Sequence, residues 1–334
     1  MRNAARQPDV SFIMAAHNAS EHIVEALESA LSQDDVDVEV IVADDCSSDD
    51  TREKVRARAA SSGGVRLVEL ARQRGPSAAR NAALEVARGQ WLAILDADDV
   101  LFPCRSRRLI ELATSRDADL VADNLISFAG DTPEPIAAVS DAFAAKVGLD
   151  QWLDHNPMIG GDFNLGFVKP MIRASFAIQN GLSYDPRQRV GEDYLMVLSA
   201  LRQGADFVIT TEPMYCYRQQ DGSLSSSWEE DEIRQLGRAQ REILGELIGE
   251  AAQETMSALA RHERSIDTAA SYERLKRSIK SREWQDAVGV LRERPRLMLT
   301  ILELAARRVR RIGNRGATAH PLIPNRVLAT LRRS

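Results

Sequence analysis

The feature that most constrains this chain is one local pattern met three times in its first hundred residues: a short apolar run that stops abruptly on polar groups. Val10–Ala16 (VSFIMAA) stops at His17-Asn18, Val38–Ala43 (VEVIVA) at Asp44-Asp45, and Trp91–Leu95 (WLAIL) at Asp96-Ala97-Asp98-Asp99. Such runs read as strands buried on both faces. Between them lie stretches of helical period. Ile23, Ala26, Leu27, Ala30 and Leu31 recur on one face behind Ser20, a capping residue type. A second helix runs from Asp49 or Asp50 to about Ala60, and Gly63-Gly64 ends it. Val65–Leu70 reads as another strand, and Ser77–Arg88 as an alanine-rich helix closed by Gly89. Strand and helix alternating at this pace predict βαβ units, hence an α/β fold with a mainly parallel central sheet flanked by helices. Sheets of this kind hold ligands beyond the carboxyl ends of their strands. That is where the three polar clusters fall.

Further along, the pattern predicts a helix over Arg105–Ser115, a short strand at Asp119–Ala122 and another at Phe163–Lys169. Glu192–Leu201 reads as a helix, and Phe207–Thr210 and Pro213–Arg218 as extended. After the DGSLSSS stretch the chain becomes almost wholly helical, with Ile233, Leu236, Ile243, Leu244, Leu247 and Ile248 on one face. Charge divides the chain at the same place. Residues 1–229 carry 22 Lys and Arg against 35 Asp and Glu, and residues 230–334 carry 21 against 14. The acidic part is a poor surface for nucleic acid, which needs concentrated positive charge. No apolar run approaches the length of a membrane span, and the opening MRNAARQPDV lacks a signal-peptide core, so the expected location is cytoplasmic. Three cysteines without CxxC spacing exclude a disulfide framework and a zinc ribbon.

The clusters carry the chemistry. Asp96, Asp98 and Asp99 follow a strand directly, and crowded carboxylates suit a divalent cation such as Mg²⁺ or Mn²⁺ that also binds phosphates. A solvated surface turn or a helix cap is the other reading. Asp44 and Asp45 suit hydrogen bonds from a base or ribose, or an Asx turn with Ser47, Ser48 and Asp49. Neither a GxGxxG nor a GxxxxGK[ST] motif is present, which argues against hydride-transfer and P-loop nucleotide sites. Arg72, Arg74 and Arg80 lie between the acidic clusters and suit either a phosphate or a structural ion pair. Glu192 and Asp193 open an apolar helix behind Gly191, where the helix field favours an ionised acid fit to accept a proton; capping is the alternative.

Four stretches in this order resemble the family 2 glycosyltransferases of GT-A fold: VSFIMAAHNASEHIVEALESALSQ, VEVIVADDCSSDDT, GPSAARNAALEVARGQWLAILDADDVLFP and GEDYLMVLSALRQG. The likeness covers roughly residues 8–225 and is strongest to glucosyltransferases of bacterial exopolysaccharide assembly, notably the succinoglycan type. It implies a catalytic domain over 1–229, with a nucleotide-sugar half at 1–122 and an acceptor half at 123–229, followed by a basic helical extension at 230–334. It also implies a UDP-sugar donor, with glucose the expected sugar, a divalent metal, and inversion at the anomeric carbon. Asp45 matches the aspartate that meets the uracil, with Asp44 beside it, and Arg80 an arginine near the diphosphate. Asp96 and Asp98 form the DxD pattern, Asp98 or Asp99 is the main metal ligand, and Asp193 is the general base with Glu192 its neighbour.

Two departures bear on specificity. Many members carry a proline and a tyrosine in the first motif, where this chain has Ala15-Ala16-His17-Asn18, so Ala16 withdraws a contact to the base. The QxxRW motif of processive synthases is replaced by YCYRQQDGSLSS, which implies addition of a single sugar. The acceptor, a saccharide or lipid-linked oligosaccharide, is expected near Trp152, Asp162 and Asn164, although a buried turn is the plainer reading of that segment. His17 reads as a turn residue without catalytic duty. Arginines 307, 308, 310, 311, 315, 326, 332 and 333 follow the apolar LMLTILELAA, which suits either a helix packed on the protein or contact with an anionic membrane surface. A catalytically inactive nucleotide-sugar-binding or scaffold protein and a metal-dependent nucleotidyltransferase are the other functions compatible with the pattern.

Overall fold

The computed structural model describes residues 7–61, 63–129, 132–137, 146–159, 164–219, 228–245 and 252–313. In chain order these form β1 (Val10–Ala16), α1 (Ile23–Leu31), β2 (Val38–Asp44), α2 (Thr51–Ser61), β3 (Val65–Glu69), α3 (Pro76–Leu84), β4 (Trp91–Ile94) and β5 (Val100–Leu101). Then come α4 (Arg105–Arg116), β6 (Leu120–Ala129), β7 (Thr132–Ala137), α5 (Leu149–Asp154), β8 (Met171–Arg173), α6 (Ala174–Gln179), α7 (Glu192–Arg202) and β9 (Phe207–Arg218). Four helices follow: α8 (Glu230–Leu244), α9 (Gln253–Lys280), α10 (Trp284–Glu293) and α11 (Leu297–Gly313). The described residues fall into two compact units, the first drawn from 1–149 and 165–221, the second from 150–164 and 222–333.

In the first unit β3, β2, β1 and β4 lie side by side in that order, all parallel. The register sets Ala16 opposite Asp44, and Leu95 N–H donates to the Ile13 carbonyl at 3.1 Å, so the three polar clusters emerge at one edge. The chain order reverses between β1 and β4, which makes that edge a crevice. Phe12, Ile13, Met14, Ile41 and Ile94 are fully buried, and each such side chain contributes ~1.5–3 kcal/mol through its removal from water. Beyond β4 the sheet turns mixed: β8 is antiparallel to β4 and to β6, β6 is parallel to β9, and β5 is antiparallel to β9.

Three elements differ from the sequence-based expectation, each for a local reason. Of the strand expected at Phe163–Lys169, the described residues 164–169 form none. Leu165–Phe167 forms a 3-10 turn, and the strand begins at Met171, directly after Pro170, which has no N–H to give a ladder. The short strand at Asp119–Ala122 instead continues to Ala129, because the buried Asp123 is neutralised by Arg105 and Asn124 is absorbed at a register shift. The same shift carries Pro213, so the two extended pieces at 207–218 are one strand. Ser20 does not cap α1; its N–H donates to Asp49 at 3.0 Å.

In the second unit, Ile233 of α8 packs with Ile266, Ala269 and Ala270 of α9 and with Met158, Ile159 and Trp228. Leu275, Ala287, Val290 and Leu297 build a second small core joining α9, α10 and α11. Leu247 and Ile248 lie outside the described residues. Among the described residues no helix is long and apolar enough to cross a membrane.

Candidate active site

The crevice is built from three places in the sequence, each delivered by the sheet. At the end of β2, Asp45 is buried and its carboxylate accepts N–H bonds from Arg74 at 2.7 Å and Gly75 at 2.8 Å. Gly75 holds φ at +87°, a conformation side chains resist, and Pro76 then starts α3. Asp45 N–H donates to the Ala16 carbonyl at 2.8 Å, which ties β1 to the turn and leaves Ala16 buried at the edge. Asp44 is fully buried; Oδ1 accepts from Ser47 N–H at 3.0 Å, whereas Oδ2 has no hydrogen-bond partner. Arg72 and Arg74 point to solvent.

At the end of β4, both oxygens of Asp96 are claimed by cations: Oδ1 by Arg80 at 2.7 Å and Oδ2 by Lys169 at 2.8 Å. Asp99 is turned inward, accepting from Tyr215 Oη at 2.6 Å and from Arg218 N–H at 2.7 Å. Burial and the neighbouring Asp96 and Asp98 charges push its carboxyl well above the usual range. Asp98 makes no ion pair among the described residues; burial first, then Asp96, raises its carboxyl to about 6. Arg218 braces this turn by donating from Nε to the Asp98 carbonyl at 2.8 Å and pairing with Glu25.

The third contributor is the first turn of α7. Gly191 adopts φ +72°, and Glu192 and Asp193 follow with their carboxylates turned toward α3 and β4. Arg80 donates to Glu192 Oε1 at 2.5 Å and lies 3.8 Å from Asp193 Oδ1. Asp193 Oδ2 accepts from Lys169 Nζ at 2.6 Å, and Oδ1 from Tyr184 Oη at 3.0 Å. Burial disfavours the Asp193 charge, but Arg80 and Lys169 outweigh it and hold the carboxyl below the usual range. For Glu192 burial prevails over Arg80, and the carboxyl is raised. Burial would lower Lys169, yet Asp193 and Asp96 carry it well above the usual range for an amine.

The residues expected from the sequence are thus partly united. Arg80, Asp96, Glu192 and Asp193 form one cluster, although Arg80 and Asp193 are 113 positions apart, and a single ammonium joins Asp96 to Asp193. Trp152 is fully buried, and Asn164 donates to the Pro157 carbonyl at 3.3 Å; both belong to the second unit. Asp162 lies outside the described residues. Among the described residues no group of three or more His, Cys, Asp or Glu side chains is placed to hold a metal ion. Sequence reasoning missed Lys169 and Tyr184. The signal was present for the first: lysine is rare here, five residues against 38 arginines, and Lys169 interrupts the apolar FVKPMI.

Comparison with known proteins matches residues 11–173 to the model described as Glycosyl transferase family 2. The succinoglycan biosynthesis protein ExoU of Rhizobium meliloti (strain 1021) is 34% identical over 273 residues, covering 79% of this chain and 77% of ExoU. The chain belongs to family 2 of the glycosyltransferases. ExoO of the same organism, also a succinoglycan biosynthesis protein, is 39% identical over 220 residues, 65% of this glycosyltransferase-family chain and 63% of ExoO, so the match spans somewhat under two thirds of that relative. A crystal structure of S. aureus TarS residues 1–349 with UDP-GlcNAc superposes with a TM-score of 0.57 at 16% identity, over 84% of this chain and 90% of that 1–349 chain, which establishes the shared GT-A-like fold.

Proposed function

We propose that this family 2 member transfers one sugar from a UDP-sugar to a hydroxyl of a saccharide or lipid-linked oligosaccharide, with inversion at the anomeric carbon. The observation that carries the reading is the ammonium shared by Asp96, at the end of β4, and Asp193, at the start of α7. It gives a strand-end acid and a helix-start acid one common centre, as a direct displacement needs: a base on one face of the sugar and a stabilised diphosphate on the other. Asp193 takes the proton from the acceptor hydroxyl, with Glu192 beside it. Arg80, paired with Asp96 and Glu192, is the cation for the diphosphate. Asp44, Asp45 and Ala16 form the base pocket, where the unpartnered Asp44 Oδ2 suits an N–H donor.

The strand-end carboxylates are compatible with a Mg²⁺ or Mn²⁺ ion that would take its remaining ligands from substrate and water. Asp98, which is in no ion pair among the described residues, would be the carboxylate that holds the ion, Asp99 holds the turn in shape, and magnesium-type sites commonly use one or two carboxylates with phosphates and water. Such an ion would supply charge neutralisation at the leaving diphosphate. The likeness to succinoglycan proteins makes UDP-glucose the first donor to test. A panel of nucleotide sugars with Mg²⁺ or Mn²⁺, read for release of nucleoside diphosphate, tests the reading. Release of pyrophosphate instead means a nucleotidyltransferase, and binding without turnover means an inactive carrier.

We further propose that the protein works at the cytoplasmic surface of a membrane. Trp284 and Val288 of α10 and Met298, Leu299 and Leu302 of α11 are exposed apolar side chains in the second unit. No acidic residue follows Glu303, whereas eight arginines do. Apolar insertion next to cationic charge suits an anionic lipid surface. The tail beyond 313 lies outside the described residues. Flotation with anionic vesicles should fail for a chain ending at residue 295; equal flotation of both forms would remove the idea.

A further inference from the structure

We propose that Lys169 is a positioning residue for transfer: its ammonium, bonded at once to Asp96 and Asp193, fixes the carboxylate of the base against the turn at the end of β4. The inference rests on Asp193 being the base. Three features of the structure carry it. The first is how Lys169 is delivered. The antiparallel pairing of β8 with β4 sets Ala93 opposite Met171, which brings the residue two places before Met171 alongside the end of β4. Its backbone is clamped from behind, because Arg105 Nη2 donates to the Lys169 carbonyl at 2.6 Å while Arg105 itself is fully buried and paired with Asp123.

The second feature is the geometry at Asp193. A carboxylate on one rotatable stem needs two directional contacts to fix its plane. Lys169 supplies one at Oδ2 and Tyr184 the other at Oδ1. A hydroxyl must approach a base within about 3 Å along a lone pair, and a misplacement of ~1 Å costs about 100-fold in rate. The third is charge. Facing Asp193 are Lys169 before β8, Arg80 on α3, Asp96 after β4, Tyr184 before α7, and Glu192 on α7 itself. Arg80 is divided between Asp96 and Glu192 and stands 3.8 Å off, so among the described residues Lys169 is the cation in hydrogen-bond contact with Asp193. Without it, Arg80 alone opposes burial, and the balance shifts toward the protonated acid, which cannot take a proton.

The test is Lys169→Met with Lys169→Arg as the charge-keeping control, both checked for wild-type circular dichroism. With the nucleotide sugar that gives turnover in the panel, Lys169→Met should lower kcat about 100-fold and change the donor KM less than about threefold. The acid limb of its kcat profile should move to higher pH, and Lys169→Arg should recover at least about a tenth of the rate. An activity-independent arm uses aspartate labelled with carbon-13 at the carboxyl, assigned by Asp193→Asn. The Asp193 resonance should titrate at higher pH in Lys169→Met than in the wild type. Wild-type kcat in Lys169→Met, a loss confined to donor KM, or an unmoved Asp193 titration would overturn the proposal. If Lys169→Met does not fold, Lys169→Gln takes its place with the same readouts, and a wild-type kcat or an unmoved Asp193 titration in that variant contradicts the proposal. A wild type that turns over no nucleotide sugar defeats the transferase reading itself, and the labelled-aspartate titration still decides whether Lys169 governs the carboxylate.

Discussion

Two buried charge clusters stand a few residues apart in the first unit, and they are built differently. Arg105 and Asp123 form a neutral pair, each fully buried, with Arg105 stacked 5.3 Å from the Tyr215 ring centroid. The other cluster sets two cations, Arg80 and Lys169, against three carboxylates, Asp96, Glu192 and Asp193, and it keeps some access to water, with the Asp96 side chain 23% exposed. A one-to-one pair has no surplus charge to offer a ligand. An unbalanced cluster at a strand-end crevice does: its cations can serve a diphosphate and its surplus carboxylate a proton. Lys169 belongs to both clusters, receiving Arg105 on its carbonyl and presenting its ammonium to Asp96 and Asp193. Tyr215 does likewise, with its ring on Arg105 and its hydroxyl on Asp99.

The comparison is sharpened most by Arg105→Met. Removing one partner strands a buried charge, and the expected loss is about 3–5 kcal/mol of stability, read by urea unfolding, with the double variant Arg105→Met/Asp123→Leu recovering part of it. A loss below 1 kcal/mol would make the pair no more structural than the site. Arg80→Met should behave in the opposite sense, costing less stability than Arg105→Met because water reaches the cluster, while weakening binding of UDP measured by calorimetry. Equal UDP affinity would take Arg80 out of the donor site. Tyr184→Phe is the mildest change. It removes one hydrogen bond to Asp193 and should slow transfer about three- to tenfold, in line with ~1 kcal/mol for such a bond.

The pH dependence separates the clusters as well. Asp193 is held below the ordinary carboxylate range by Arg80 and Lys169 against the effect of burial, so its stabilising contribution is complete at neutral pH. That contribution is lost as pH falls through the folded-state value, below about pH 4. Asp123 is raised, since burial outweighs Arg105, and its ionised form weakens the fold as pH rises above the ordinary carboxylate range. Unfolding measured from pH 3 to 8 in Asp193→Asn and in Asp123→Asn should therefore show slopes altered in opposite directions.

Much of this was legible in the sequence, and the limits have physical causes. Strands β1, β2 and β4 were visible because burial on both faces leaves uninterrupted apolar runs, and their polar ends marked the crevice. Asp45, Asp96, Asp98 and Asp99 could be named for the same reason, and Asp193 from its place in the first turn of a helix behind Gly191. What the sequence hid was partnership. Asp123 in a strand reads as a break until Arg105, on a different element, is seen to neutralise it. Lys169 reads as the end of an apolar stretch until the antiparallel β8, a reversal no local pattern announces, carries it to β4. Trp152 is fully buried, in line with the buried-turn reading of its segment rather than with an exposed acceptor wall.

The central claim is that Asp193 and the Asp96 turn are one reaction centre. It is tested most directly by Asp193→Asn, assayed for transfer and for donor binding on the same preparation. Transfer should fall by about 10²–10⁴-fold with donor affinity changed less than about threefold. Transfer at the wild-type rate would contradict the account.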